Sequence, residues 1–293
     1  MLYIELLLAH YLALQAVAHR DWHVHQTDHQ STNRPTEQAG VKAGEEEIKL
    51  AKVAALIAKN RRKAKAKAKT KGSKAAEALQ FDAVKSFLPS QIRECAQQVK
   101  DEGVATITQA FSVPEIERLR QEIEDGKATC KEKVNRRKNR YEYVFSPSSS
   151  PFADLARNKV IQGVMRLLLG NKFYLEKAGL IESHPDSIAQ RWHMDAPHLF
   201  SNRVHLPPAT INMFIPVCAL TEDNGPTEFQ LGTQKKCNLA LPKRLAKAKC
   251  PIGSLFLYDI RVIHRGGANA SKEARPLIYL TFSRIWFRDV INP

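Results

Sequence analysis

A chain of 293 residues, 43% hydrophobic and 26% charged, has room for one large domain with an appendage, or two small domains, and can bury a sizeable core. Its formal net charge of +15 resembles that of nucleic-acid binders, but residues 41–80 hold twelve Lys or Arg against four Glu, so more than half of the excess lies in one short stretch. Five cysteines with no C-x-x-C pair, an odd count at wide spacing, fit reduced thiols in an intracellular protein better than a disulfide framework.

Residues 1–18 are apolar, with Leu2, Ile4, Leu6, Leu7, Leu8, Leu12, Leu14 and Val17. Glu5 is the first charge and the run is short for a bilayer, which needs about twenty residues, so no confident membrane span follows. Ala16-Val17-Ala18 does resemble a cleavage site, and the reading as a buried or partner-seeking helix is preferred. His19, His23, His25 and His29 lie in a polar stretch that reads as a disordered connector, so residues 1–40 form an apolar start and a polar segment. Residues 41–80 read as a basic Lys/Ala-rich helix or tail, with Glu45, Glu46 and Glu47 at its start suiting the helix dipole. Nucleic-acid contact is conceivable only through residues 59–74, which carry no aromatic residue to stack on bases.

The folded domain is expected over 81–293. Val84, Phe87, Leu88, Ile92, Cys95 and Val99 follow helical spacing, and residues 103–108 read as a strand. Ser112 three before Glu115 is a capping-box pattern opening a helix with Ile116, Leu119 and Ile123 as its stripe. Residues 135–140 are a second basic cluster, close enough to the domain to touch an anionic substrate but read in preference as a solvated loop, and 155–169 read as one amphipathic helix stopped by Gly170. Strands are then predicted at 173–182, 188–193, 210–217, 227–231, 237–241, 254–258 and 277–287. Turn signals between them indicate a sandwich or barrel, mainly β with flanking helices.

Chemistry concentrates in Gln190-Arg191-Trp192-His193-Met194-Asp195. In an extended chain positions i and i+2 share a face, so His193 and Asp195 can grip one metal ion if this segment ends a strand. His264 is the best third ligand, and two His with one carboxylate leave three positions of an octahedral ion open, as in non-haem Fe(II) oxygenases. Taken alone an H-x-D is common. Arg275-Pro276 strengthens it: if 254–258 pairs antiparallel with 277–282, Arg275 lies opposite His264 and is suited to a bidentate grip on a dicarboxylate. Asp259 and Arg261 read as a turn ion pair, and His198 and His205 as rim or surface residues.

His193-Met194-Asp195, Asp223-Asn224-Gly225-Pro226-Thr227-Glu228, His264-Arg265-Gly266-Gly267 and Arg275-Pro276, in this order and spacing, resemble the phytanoyl-CoA dioxygenase family from about Phe81 onward. The resemblance implies a double-stranded β-helix, a jelly-roll relative of the cupins, as the core. It implies Fe(II) on His193, Asp195 and His264, and 2-oxoglutarate anchored by Arg275, with Asn212, Gln190 and Thr227 as further cofactor contacts. The implied reaction couples decarboxylation of 2-oxoglutarate to succinate and CO2 with O2-dependent hydroxylation of a small-molecule or lipid-like substrate. Where the family often reads P-G-S-H, this chain has Leu231-Gly232-Thr233-Gln234, which bears on the substrate pocket. Two other classes stay open: a cupin-like metal-dependent hydrolase or isomerase, with no need of Arg275, and a non-catalytic binding protein acting through its basic segment. For localisation the cytoplasm is favoured, with nuclear or secretory targeting left open.

Overall fold

Period-two alternation sorts the strand side chains onto two faces, and both faces are covered. The computed structural model describes residues 80–136, 139–198, 205–235 and 244–287. Its elements run β1 (Phe81–Ala83), β2 (Ser86–Phe87), α1 (Ile92–Glu102), β3 (Val104–Ile107), α2 (Val113–Gly126), β4 (Glu132–Asn135) and β5 (Arg140–Phe145). They continue with α3 (Phe152–Ala156), α4 (Lys159–Leu169), β6 (Phe173–Ser183), β7 (Thr210–Pro216) and β8 (Thr227–Gln230). The last are β9 (Leu245–Lys247), β10 (Leu255–Asp259), β11 (Ile263–Gly266) and β12 (Arg275–Arg284).

The strands form a larger sheet in the order β2-β3-β10-β7-β12-β6-β5-β4 and a smaller one in the order β1-β9-β8-β11. Strand β10 shows why both faces are apolar. Leu255 and Leu257 belong to the core that also holds Ile116, Ile161, Val164 and Leu168 of the helices, while Phe256 and Tyr258 belong to a second core with Phe229 and Ala246 of the smaller sheet. Helices cover one side of the large sheet and the small sheet covers the other, the face-to-face arrangement of a jelly roll. The inner core is aromatic: Phe214 stacks on Phe256 at 5.3 Å and on Tyr258 at 5.8 Å between ring centroids. Among the described residues no helix is long and apolar enough to cross a membrane.

The capping box forms as predicted. Glu115 N–H donates to Ser112 Oγ at 3.4 Å, and Ser112 N–H donates to Glu115 Oε2 at 2.7 Å. Elsewhere the structure corrects the sequence reading. Residues 81–87 form two short strands, and the helix begins only at Ile92. The expected helix over 155–169 is broken into α3 and α4, because Asn158 Oδ1 accepts from the N–H groups of Val160 (2.9 Å) and Ile161 (3.3 Å) and opens a new helix. Asn158→Ala is therefore expected to cost about 1 kcal/mol, read as a fall of about 2–4 °C in the melting temperature. In the basic cluster at 135–140, Asn135 ends β4 and is exposed, as are Arg136 and Asn139, but Arg140 begins β5 and is buried, against the solvated-loop reading; residues 137 and 138 lie outside the described residues. Residues 188–193 do not form a strand. Strand β10 pairs with β3 and β7, and β7 separates it from β12, so 254–258 and 277–282 are not partners. The predictions for residues 1–79 and for a strand at 237–241 lie outside the described residues.

Candidate metal and oxo-acid site

Strand β11 is the edge of the small sheet, and the H-x-D segment lies along it. His193 and His264 exchange backbone hydrogen bonds in both directions, at 3.0 and 2.9 Å, forming an isolated antiparallel bridge. Gln190 N–H donates to Gly266 O at 2.9 Å, and Gly266 N–H returns a bond to Gln190 Oε1 at 2.8 Å. Asp195 N–H then turns to Ile260 O at 3.0 Å. Pairing along 190–195 is thus anchored at both ends but too broken for a strand. It is sufficient to place the two imidazoles side by side, 4.5 Å between centroids.

Both rings are oriented in the same way. His193 Nδ1 lies 2.8 Å from Arg191 O and His264 Nδ1 lies 3.0 Å from Val262 O. A carbonyl only accepts, so each Nδ1 carries the proton and each Nε2 keeps its lone pair for a ligand. Those Nε2 atoms lie 3.7 Å (His193) and 3.6 Å (His264) from Asp195 Oδ1. Burial, aided by His193 and opposed by Asp195, holds the His264 imidazole below its ordinary pKa, which keeps it neutral as a ligand must be. Potential ligand atoms of the three residues all lie within 4.8 Å of one another. Two neutral imidazoles and one carboxylate converging in this way fit a divalent transition metal.

The triad opens into a cavity of about 320 Å³ between the sheets, at the small end of the range for small-molecule sites, about 300–1,000 Å³. Along β12 every second side chain, Arg275, Leu277, Tyr279 and Thr281, faces into it. Arg275 and His264 therefore meet across the sandwich, from facing sheets, and not at the base of a shared hairpin as the sequence suggests. Arg275 is only 1% exposed; Nη2 donates to Ser183 Oγ at 2.6 Å, while Nε and Nη1 have no partner among the described residues. Buried donors without acceptors call for an anion.

Arg140 is a cavity residue that the sequence reading left in a solvated loop. It is 3% exposed, lines the same cavity and donates through Nη2 to Gly267 O at 3.0 Å. Burial pushes its pKa down to about 10; for Arg275, burial first and the neighbouring Arg140 second give about 9. Both stay cationic at neutral pH. The alternation Arg140-Tyr141-Glu142-Tyr143 was the available signal, since it places Arg140 and Glu142 on one face and the rings on the other. Gly266 makes room for this guanidinium: a Cβ there would meet Arg140 Nη1 at 2.4 Å.

Gln190, Asn212 and Thr227 all line the cavity. The amides of the first two are engaged with the protein: Gln190 Oε1 with Gly266 N–H, as above, and Asn212 Nδ2 with Asp195 Oδ2 at 2.7 Å. Residues 231–234, where the chain departs from P-G-S-H, do not line the cavity. Thr233 Oγ1 instead accepts from Ile263 N–H at 2.8 Å and so fixes β11 beside His264. Asp259 and Arg261 form the expected turn ion pair, at 2.6 Å. His198 and His205 stand near that pair, outside the cavity lining.

A jelly-roll sandwich with a two-histidine, one-carboxylate cluster and a buried arginine in its mouth defines a class of non-haem metal oxygenase folds. The profile of the phytanoyl-CoA dioxygenase (PhyH) family matches residues 97–277, and the chain belongs to that family. An uncharacterized protein of Mycobacterium bovis is 28% identical over 114 residues, 38% of this chain and 40% of the relative's length, well short of the whole relative. The iron/alpha-ketoglutarate-dependent dioxygenase ausO of Aspergillus calidoustus is 26% identical over 210 residues, covering 63% of this chain and 70% of that one. Among solved structures, the non-heme alpha-ketoglutarate-dependent epimerase SnoN from nogalamycin biosynthesis superposes with a TM-score of 0.57 at 14% identity. That superposition covers 67% of this chain and 84% of SnoN, a likeness of fold.

Proposed function

We propose that this protein is an Fe(II)- and 2-oxoglutarate-dependent dioxygenase that hydroxylates a small-molecule or lipid-like substrate. The observation carrying the reading is the convergence of His193, Asp195 and His264 in one cavity with a buried arginine whose Nε and Nη1 lack acceptors among the described residues. A hydrolase or isomerase that works on the same metal ligands without an oxo acid would have no use for that arginine.

His193 Nε2, His264 Nε2 and an oxygen of Asp195 would hold the iron. Bound there with 2-oxoglutarate, iron supplies the oxidising chemistry: the oxo acid is decarboxylated to succinate and CO2 as O2 is consumed, and one oxygen atom goes to the substrate. The protein's part is binding, orientation and exclusion of water. Arg275, with Arg140 beside it, takes the distal carboxylate of the oxo acid through charge-assisted hydrogen bonds. Leu277, Phe214 and Tyr279 wall the cavity with apolar surface, which strengthens that pairing by keeping water away. Thr227 lines the wall across from β12, while Gln190 and Asn212 act on the positions of the metal ligands.

The test is release of succinate from labelled 2-oxoglutarate, with Fe(II) and O2, across a panel of candidate small molecules, with products weighed by mass spectrometry. The expected result is a substrate that stimulates succinate release and a product heavier by one oxygen atom. An isomeric product would overturn hydroxylation and retain oxo-acid dependence, the combination found in the alpha-ketoglutarate-dependent epimerase SnoN. If 2-oxoglutarate neither turns over nor raises the melting temperature of the metal-loaded protein, the whole reading falls.

A further inference from the structure

We infer that Asn212 and Tyr258 fix Asp195 as a one-oxygen metal ligand, binding through Oδ1, and that Thr281 holds the Asn212 amide in the orientation this requires. The inference rests on reading His193, Asp195 and His264 as the metal centre, and concerns which carboxylate oxygen is presented to it.

Three side chains from one row of the large sheet carry it. Thr281 on β12 is the cross-strand partner of Asn212 on β7, and Asn212 is the partner of Tyr258 on β10. All three project into the cavity side by side. Asn212 Nδ2 donates to Asp195 Oδ2 at 2.7 Å and the Tyr258 hydroxyl donates to the same oxygen at 3.1 Å. A carboxylate oxygen has about two lone-pair sites, so two donors fill Oδ2. Oδ1 is the oxygen that faces both imidazole Nε2 atoms, at 3.6 and 3.7 Å.

The direction of the chain is settled by what each atom can do. An ionised carboxylate only accepts, and reversing the Asn212 amide would set two oxygens 2.7 Å apart. Nδ2 must therefore face Asp195, which leaves Asn212 Oδ1 to accept from Thr281 Oγ1 at 2.7 Å. Tyr258 is buried, and its phenol O–H has Asp195 Oδ2 within reach as an acceptor, at 3.1 Å. Its hydroxyl also lies 3.3 Å from His264 Nε2. An ion held by that nitrogen would remove the competing acceptor and leave the phenolic proton to Asp195. The consequence is functional: a two-oxygen carboxylate would occupy one of the three positions that an oxo acid and O2 need.

Co(II) titration of the metal-stripped full-length chain, followed by visible absorption without substrate or turnover, tests this. Thr281→Val keeps the shape of threonine and loses the donor; Thr281→Ser keeps the donor and loses the methyl group. Thr281→Val and Tyr258→Phe are expected to weaken Co(II) binding about 10-fold or more, with an altered absorption band, while Thr281→Ser behaves as wild type. Weakening by Thr281→Ser but not by Thr281→Val would make the row a packing feature and overturn the inference, as would equal binding by all variants. Because Thr281 is half-buried, the Val/Ser pair stands even if Tyr258→Phe fails to fold. Absence of Co(II) uptake by the wild-type chain would bring down the metal-centre reading first, and this inference with it.

Discussion

Arg275→Met is expected to weaken 2-oxoglutarate binding by about 30-fold or more, from the 2–5 kcal/mol that truncating one partner of a buried charge pair costs, while leaving the unliganded protein no less stable. The two effects have opposite signs for one reason. Without an anion, Arg275 is a guanidinium buried beside a second one, Arg140, with two of its donors unpartnered. Replacing such a charge by an apolar side chain of similar volume is neutral or stabilising by about 1–4 kcal/mol. The single bond from Nη2 to Ser183 offsets part of that gain. Isothermal titration with 2-oxoglutarate on the Mn(II)-loaded protein and thermal unfolding of the metal-free protein check both halves. A variant that is destabilised and still binds the oxo acid as tightly as wild type would assign Arg275 to structure.

The parts of this molecule legible from sequence are those decided locally or by a clean period. Strands β7, β10 and β12 are runs in which both faces are buried, and they fall within a residue or two of expectation except at the ends of β12. The Ser112–Glu115 capping box spans four residues and needs no tertiary partner. Asn158 was equally local and was overlooked because the apolar pattern runs through it on both sides. What sequence could not reveal is which sheet each strand joins. His264 and Arg275 are eleven positions apart, which suggests one hairpin; in the fold β11 belongs to the small sheet and β12 to the large one, and the two residues face each other across the sandwich. Segment 188–193 has the composition of a strand, but β11 supplies it with only one properly paired position. Arg140 was hidden by its neighbours. A cluster of basic residues normally marks solvated surface, and only the pairing of β5 with β6, which sets Arg140 opposite Ser183, takes this one inside next to the hydrogen-bond partner of Arg275.

Removing either histidine should abolish tight metal binding to a similar degree and affect stability to a different one. Dividing the 10–16 kcal/mol of a four-ligand zinc site among its ligands gives about 3 kcal/mol each, so His193→Ala and His264→Ala should each weaken Co(II) or Mn(II) binding on the order of 100-fold or more. Their packing differs. The His264 side chain is 6% exposed and lies against Phe229, at 6.0 Å between centroids, and Tyr258, at 4.7 Å. That of His193 is 40% exposed. Truncating a buried ring leaves a void whose lining cannot fully close, so His264→Ala should cost about 2 kcal/mol or more; His193→Ala should cost about 0.5 kcal/mol. Metal titration paired with denaturant unfolding of the metal-free proteins separates the two quantities. Equal stability losses would mean that the H-x-D segment is packed into the fold more firmly than its one bridge to β11 implies. Unequal metal affinities would mean that one imidazole is a neighbour of the ion and not a ligand. The expected pattern, equal in metal and unequal in stability, follows from two rings that do the same chemistry from opposite sides of one β-bridge, one in the core and one at its edge.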